Sequence, residues 1–331
     1  MSDRVRSRPV PARASAPERG GLDAHAEAVL RAWDMVPEAV VRRVAAARVG
    51  SAVARCFPVR DDDALALITE LITWLTAFDD HYERAGARTA QAVARLVATL
   101  ERPAGVPCPP ESEPAVEAFA AVRARCGQVL EPAQDDRFAD ALRGYFLALL
   151  WEQSAPGADI DSFFAMRRHL SFGRILPVLV ELATGRAVPP ELLRLPAMRL
   201  LLDRFADVVA LFNDLVSADW EERHATVPAA AVPANTIALL REEEPGLGAE
   251  EARARVRAML THASAETRRL HEELSRTVEE LSRTVEELSR TAGELSRTAA
   301  EEGRAHLDGL RDFLDGLLTL RMPDRYATTG G

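Results

Sequence analysis

From Leu22 to Leu320 the apolar residues of this chain recur three and four positions apart, the spacing that lays one stripe along a helix. "DDALALITELITWLTAF" shows the pattern, and so does "AMRLLLDRFADVVALFNDLVSADW". No run alternates with the period of two that a half-buried strand needs, and there is no glycine-rich phosphate loop. Breaks fall at Pro58, at "RPAGVPCPPESEP" (102–114), at "SAPGADID" (154–161), at Pro189–Pro190 and at "VPAAAVPAN" (227–235). Helices of ordinary length remain between them. The chain therefore reads as all-α, as one domain with a large helical core or as two helical domains. At 331 residues, 47% of them hydrophobic, it carries enough apolar side chain for a sizeable core.

The opening "MSDRVRSRPVPARASAPERGG" lacks the apolar stretch of a secretory leader, and its composition suits a disordered tail over residues 1–21. The helical domain is then 22–331. No run approaches the roughly 18 apolar residues of a membrane span. Net charge is −10, and the basic residues are all arginine, scattered rather than clustered, which argues against nucleic acid as a partner. Cys56, Cys108 and Cys126 show no metal-type spacing and are odd in number, as expected of reduced thiols in a cytoplasmic protein.

One segment, about 274–301, has a period of its own. In "LSRTVEELSRTVEELSRTAGELSRTAAEE", Leu274, Leu281, Leu288 and Leu295 are each followed four residues later by Val278, Val285, Ala292 and Ala299. Leucine at d with Val or Ala at a makes a narrow seam of the coiled-coil kind. The segment reads either as an exposed helical extension or as an arm for a partner, a second copy in a homodimer included.

Two polar groupings interrupt the apolar helices at their ends. In "LTAFDDHYERAG", Asp79 and Glu83 share a helix face and Asp80 lies beside them. In "FNDLVSADWEE", Asn213, Ser217 and Glu221 follow at i, i+4 and i+8, within roughly 80° of one another around the axis. Amide, hydroxyl and carboxylate oxygens suit a hard divalent ion, and Mg²⁺ shares its shell with water and substrate phosphates. Either motif alone is more often a solvated helix end. Two such faces opposed across a helical barrel would hold several Mg²⁺ ions at the mouth of an apolar cavity.

"FDDHYE" followed far downstream by "NDLVSADWE" resembles the two metal motifs of class I terpene synthases, the bacterial cyclases in particular. The resemblance runs from about Leu22 to Tyr326. Arg167, in "MRRHLSFG", stands 46 residues before Asn213, where this family places its diphosphate-sensing arginine. "ANTIALLREEEPGLGAEEARARV" is similar to the segment after the second motif, and "RMPDRY" supplies a C-terminal Arg325–Tyr326 pair.

The resemblance implies an all-α class I terpenoid synthase domain with a central apolar cavity, the heptads being an insertion that lengthens a helical hairpin. It implies Asp79 as the main metal ligand of the first motif, Asp80 paired with Arg167, and Glu83 as a further ligand. Asn213, Ser217 and Glu221 would chelate another of three Mg²⁺ ions. Arg167, Arg325 and Tyr326 would bind diphosphate, while Leu170 and Ser171 would trigger ionisation at a helix break. Phe57 and Phe78 are candidate cavity aromatics, though ordinary core packing explains either. Trp220 stands where the family usually has a lysine, with Arg223 close by to replace that contact. Thr76 and Ala77 stand where aromatic residues often precede the first aspartate.

The implied activity is Mg²⁺-dependent cyclisation of a prenyl diphosphate, farnesyl diphosphate first, with geranyl and geranylgeranyl diphosphate as alternatives. Of another class is an inactive helical interaction protein that recruits a partner through its heptads.

Overall fold

A computed structural model describes residues 19–57, 61–82, 87–102, 112–154, 159–224, 235–288 and 290–320. No strand occurs among the described residues, in keeping with the all-α expectation. They group into two compact units that part between Leu150 and Trp151, with Arg55 to Phe57 grouping with the second.

The first unit holds α1 (Leu22–Trp33), α2 (Glu38–Ala46), most of α3 (Val49–Cys56), α4 (Asp62–Tyr82), α5 (Ala87–Leu100), α6 (Pro114–Val129) and most of α7 (Pro132–Ser154). Helix α4 is its centre, packed by α1, α2 and α6. Asp61 caps it, accepting from the backbone N–H groups of Asp63 at 2.6 Å and Ala64 at 3.4 Å. The apolar stripe of α4 then drives its burial. Trp74 stacks on Phe78 at 4.8 Å, Phe119 of α6 tilts onto Trp74 at 4.8 Å, and Phe146 of α7 meets Phe119 edge-on at 5.5 Å. Such ring pairs add roughly 0.5–1.5 kcal/mol each beyond the area they bury. The indole N–H of Trp74 donates to the Ala115 carbonyl at 3.0 Å, so the largest core side chain leaves no polar atom stranded. Glu70, buried on the same helix, takes its charge partners from both sides: His25 of α1 at 3.0 Å and Arg125 of α6.

The second unit holds α8 (Ile160–Leu170), α9 (Leu176–Thr184), α10 (Pro190–Arg194), α11 (Pro196–His224), α12 (Thr236–Glu243), α13 (Ala249–Leu288) and α14 (Arg290–Leu318). Here α11 is the centre. It packs along α13, while α8 and α12 lie on it, and α14 folds back along α13. The α11–α14 contact is aromatic: Phe205 meets Phe313 at 5.4 Å, and Phe57 meets Phe313 edge-on at 5.0 Å.

Heptad residues Leu274 and Val278 are buried, and their cover is α14 of the same hairpin. Val278 lies opposite Gly303, and His271 lies 3.6 Å from Asp308, so the arms run antiparallel. Gly303 is small for a reason: an added Cβ would stand 3.2 Å from Leu192. The side chains of Leu281, Val285, Leu288, Ala292 and Leu295 lie outside the described residues. Cys56 and Cys126 are free and buried, and burial pushes each thiol up to about 12, far from thiolate at neutral pH. Cys108 lies outside the described residues. No described helix is long and apolar enough to cross a membrane.

Candidate active site

The last turn of α4 brings Asp79 and Asp80 out of the core, and each is met by a neighbour that sequence spacing did not single out. The hydroxyl of Tyr145 on α7 donates to Asp79 at 3.2 Å. Arg43 on α2 donates to Asp80 at 3.4 Å. Both carboxylates are thus oriented by side chains from separate helices before any ligand is considered. Glu83 lies outside the described residues. Phe78, one residue earlier on α4, is wholly enclosed in the Trp74 cluster, and Phe57 is buried against Phe313.

In the second unit, α8 starts on Asp159, whose carboxylate accepts from the backbone N–H of Ser162 at 2.9 Å. It ends at Leu170, with Ser171 as its cap and Phe172 at φ +64°, a left-handed conformation that stops helix propagation. The break lets the chain turn closely past α11. A Cβ on Gly173 would stand 2.7 Å from that of Ala206. Leu170 and Ser171 are both buried at this break, and the Ser171 hydroxyl is enclosed without a hydrogen-bond partner.

Arg167 is one turn from the end of α8 and lies against α11. Its Nε donates to Asp214 at 2.9 Å, its Nη2 donates to the same carboxylate oxygen, and Nη2 also donates to Asn213 Oδ1 at 3.0 Å. The other oxygen of Asp214 accepts from the backbone N–H of Thr236 at 2.8 Å and from its hydroxyl at 2.5 Å. Asp214 is 0% exposed, so an arginine beside it is what allows the charge to stay. The next residue on α8, Arg168, is held by Asp207 at 2.7 and 3.2 Å, and Arg204 joins the same carboxylate at 2.7 Å. Two adjacent arginines of α8 are therefore clamped to carboxylates about two turns apart on α11.

On α11, Ser217 follows Asn213 by one turn. Its hydroxyl is buried with no hydrogen-bond partner, its residue only 3% exposed. A buried hydroxyl one turn beyond an amide oxygen is the kind of oxygen a hard divalent cation takes as a ligand. Glu221 continues α11 at the next turn, its side chain outside the described residues. Among the described residues no three His, Cys, Asp or Glu side chains gather as a metal group. Arg325 and Tyr326 lie outside the described residues.

Residues 70–266 match the model of terpene synthase family 2, C-terminal metal binding, which is more than half of the chain. The chain belongs to the terpene synthases. It is 31% identical over 266 residues to labda-7,13(16),14-triene synthase of Streptomyces clavuligerus, covering 78% of this chain and 76% of that one. It is 30% identical over 275 residues to the (−)-β-caryophyllene synthase of Saccharothrix espanaensis, a farnesyl diphosphate cyclase, covering 80% and 75%. The fold matches the crystal structure of linalool/nerolidol synthase from Streptomyces clavuligerus with a TM-score of 0.72 at 21% identity, over 92% of this chain and 98% of that one.

As a class I terpene synthase the chain is a lyase and uses divalent metal, and its metal-binding region spans both polar groupings. The donor set of α11 fits such an ion: an amide oxygen, a stranded hydroxyl and a carboxylate to follow. Asp214, Tyr145 and Arg43 are the neighbours that reading the motifs by spacing missed. Asp214 was within reach, since it sits beside Asn213 in the quoted motif, but it points about 100° round the axis from Asn213 and about 60° from Ser217.

Proposed function

We infer that this terpene synthase ionises farnesyl diphosphate with Mg²⁺ and cyclises the resulting C15 cation, releasing diphosphate. The observation that carries the reading is the buried Arg167–Asp214–Asn213 network beside the stranded Ser217 hydroxyl. The farnesyl choice draws on the caryophyllene synthase relative, whose substrate is farnesyl diphosphate. Geranylgeranyl diphosphate is the second reading, since the labdatriene synthase relative is named for a diterpene product.

In this proposal Asp79 and Glu83 hold metal at the first motif, and Asn213, Ser217 and Glu221 hold it at the second, three Mg²⁺ ions in all. Bound ions supply the charge neutralisation that lets diphosphate depart. Arg167, Arg325 and Tyr326 take the diphosphate oxygens, and the planar fork of Arg167 suits them better than a point charge. Asp214 keeps that fork in one plane before substrate arrives, so little reorganisation remains at the moment of reaction. The expected pairing of Asp80 with Arg167 belongs to the loaded state, with Arg43 holding Asp80 meanwhile. Leu170 and Ser171 carry the trigger at the end of α8.

The test is turnover. Purified protein is incubated with farnesyl, geranyl or geranylgeranyl diphosphate, with Mg²⁺ or with EDTA, and extracts are read by gas chromatography–mass spectrometry beside diphosphate release. A cyclic C15 product dependent on Mg²⁺ is expected. A product from geranylgeranyl diphosphate alone would replace the substrate, and no turnover of any of the three by folded protein would overturn the proposal.

A further inference from the structure

The helix break between α8 and α9 has both of its ends tied down. On the near side Arg168 donates to Asp207 from Nε at 2.7 Å and from Nη2 at 3.2 Å. On the far side Arg174 lies 2.5 Å from Asp203, which Arg168 also approaches at 4.0 Å. Five residues, 169–173, stand between the two arginines. Within them Gly173 passes so near Ala206 that an added Cβ would stand 2.7 Å from it. Asp203, Ala206 and Asp207 lie within about one turn of α11. Together they form a seat for the whole break.

The seat belongs to the same rigid element as the proposed metal ligands. Asp203, Asp207 and Asp214 fall within roughly 40° of one another around the α11 axis, a row about 16 Å long. Arg174, Arg168 and Arg167 attach to its members in that order. The row ends beside Asn213, so one helix sets the distance from the break to the metal face. Asp207 is 4% exposed and is also held by Arg204 at 2.7 Å, which in turn lies 2.9 Å from Glu266 of α13. Inside the tied ends the backbone is of another kind. Phe172 is left-handed at φ +64°, its N–H donates to the His169 carbonyl at 3.0 Å, and its own carbonyl accepts from Ile175 at 2.8 Å. These are turn bonds. Fixed ends around a few residues that can absorb a change of backbone angle are what a hinge requires.

We propose that Asp203 and Asp207 are positioning residues for ionisation: they hold both ends of the break at a set distance from the α11 metal face, so that only 169–173 move when diphosphate binds. The inference rests on the proposed function, which puts the trigger at Leu170 and Ser171. Each carboxylate acts through its arginine and touches no substrate. The Arg174–Asp203 pair makes the role separable from folding. Its side chains are 29% and 36% exposed, and a pair so open to water adds little to stability. A small misplacement away from the chemistry, by contrast, is costly in rate.

The experiment compares the full-length native protein with Arg174→Gln, Asp203→Asn and the conservative Arg174→Lys, using Mg²⁺ and the accepted prenyl diphosphate. Thermal melts should stay close to native, as for a surface pair. In Arg174→Gln and Asp203→Asn, kcat should fall about tenfold at unchanged KM, the mark of an interaction that matters beyond substrate binding. Arg174→Lys keeps the charge and should keep native turnover. The double variant Arg174→Gln/Asp203→Asn should be no slower than either single one, because both remove the same contact. Hydrogen–deuterium exchange on the protein alone gives a readout that needs no turnover. Amides of 169–175 should exchange faster in Arg174→Gln and Asp203→Asn than in the native chain or Arg174→Lys. Native kcat in both variants, a raised KM at native kcat, or unchanged exchange would each overturn the proposal. If the native chain turns over no prenyl diphosphate, the proposed function falls and this role with it. An active native chain beside variants that match it overturns the positioning role alone.

Discussion

One carboxylate oxygen of Asp214 accepts two nitrogens of Arg167, Nε at 2.9 Å and Nη2 closer still, while the second oxygen caps α12 through Thr236. The pair is buried, so removing one partner strands the other. Asp214→Ala is expected to cost about 3–5 kcal/mol of unfolding free energy, the usual result of breaking a buried ion pair from one side. Urea unfolding measures it. Turnover at a temperature where the variant is still folded should fall as well, since the guanidinium is no longer held in plane; native turnover in a destabilised but folded variant would reduce Asp214 to a structural role.

The α11 metal set makes a separate prediction. Asn213→Leu and Glu221→Ala should lower Mg²⁺-dependent turnover by more than the roughly 10–100-fold seen for residues that merely support a ligand. Far-ultraviolet circular dichroism should stay native, because both substitutions put good helix formers into α11. A shifted Mg²⁺ titration with partial activity fits a ligand. Full activity at the native Mg²⁺ concentration would take the second motif out of the mechanism.

Gly173 permits the close pass of the α8–α9 break against Ala206. An alanine there meets the Ala206 Cβ at 2.7 Å and its Cα at 2.8 Å, and one of these is backbone that cannot rotate away. Gly173→Ala should destabilise by about 1–3 kcal/mol, the ordinary range for overpacking. The displaced segment begins at Ser171, so turnover should drop too. Ala206→Gly in the same chain removes the nearer clash and should recover part of both; no recovery would place the strain elsewhere.

Much of this is legible in the sequence. The apolar stripe of α4, its aspartate cap and its acidic last turn follow from local rules, and so does the Asn213–Ser217–Glu221 face. The helix break after Arg167 lies where the motif predicts, with Phe172 supplying the left-handed turn. What could not be read are the partners brought by tertiary packing. Tyr145 is 66 residues from Asp79, and Arg43 is 37 from Asp80. The heptads mark a further limit. Periodicity shows that a stripe wants cover, but an intrachain arm satisfies it as well as a second copy does. At Leu274 and Val278 the cover is α14.

Two histidines give the pH dependence a sign. Burial, with Arg174 and Arg168 nearby, holds the His169 ring below its ordinary value of 6.5. His271 is lowered likewise, first by burial and then by Arg311. In each case the unfolded chain accepts a proton that the fold disfavours. Their contribution to stability is therefore complete above about pH 6.5 and is lost as pH falls below it. Guanidinium unfolding at a series of pH values should show this slope, and His169→Gln should flatten it. An unaltered slope in that variant would assign the acid sensitivity to other groups.

The last prediction concerns the hairpin. Its base is part of the second unit, with Leu274 and Val278 buried and Gly303 fitted against Val278. Its tip is a repeat of nearly identical heptads, and the arms are antiparallel. A deletion that takes equal lengths from both arms should therefore shorten the hairpin without disturbing the base. Removing 284–297, two heptads, keeps the heptad phase and retains Val278 opposite Gly303. Removing 274–294 instead deletes Leu274 and Val278 and leaves α14 without its cover. The symmetric deletion should keep native stability and turnover, and the asymmetric one should lose about 2–5 kcal/mol for each large core side chain left uncompensated. Thermal melts and diphosphate release compare the two. Collapse of turnover in a symmetric deletion that melts like the native chain would mean that the tip itself takes part in function, as an arm for a partner or a second copy.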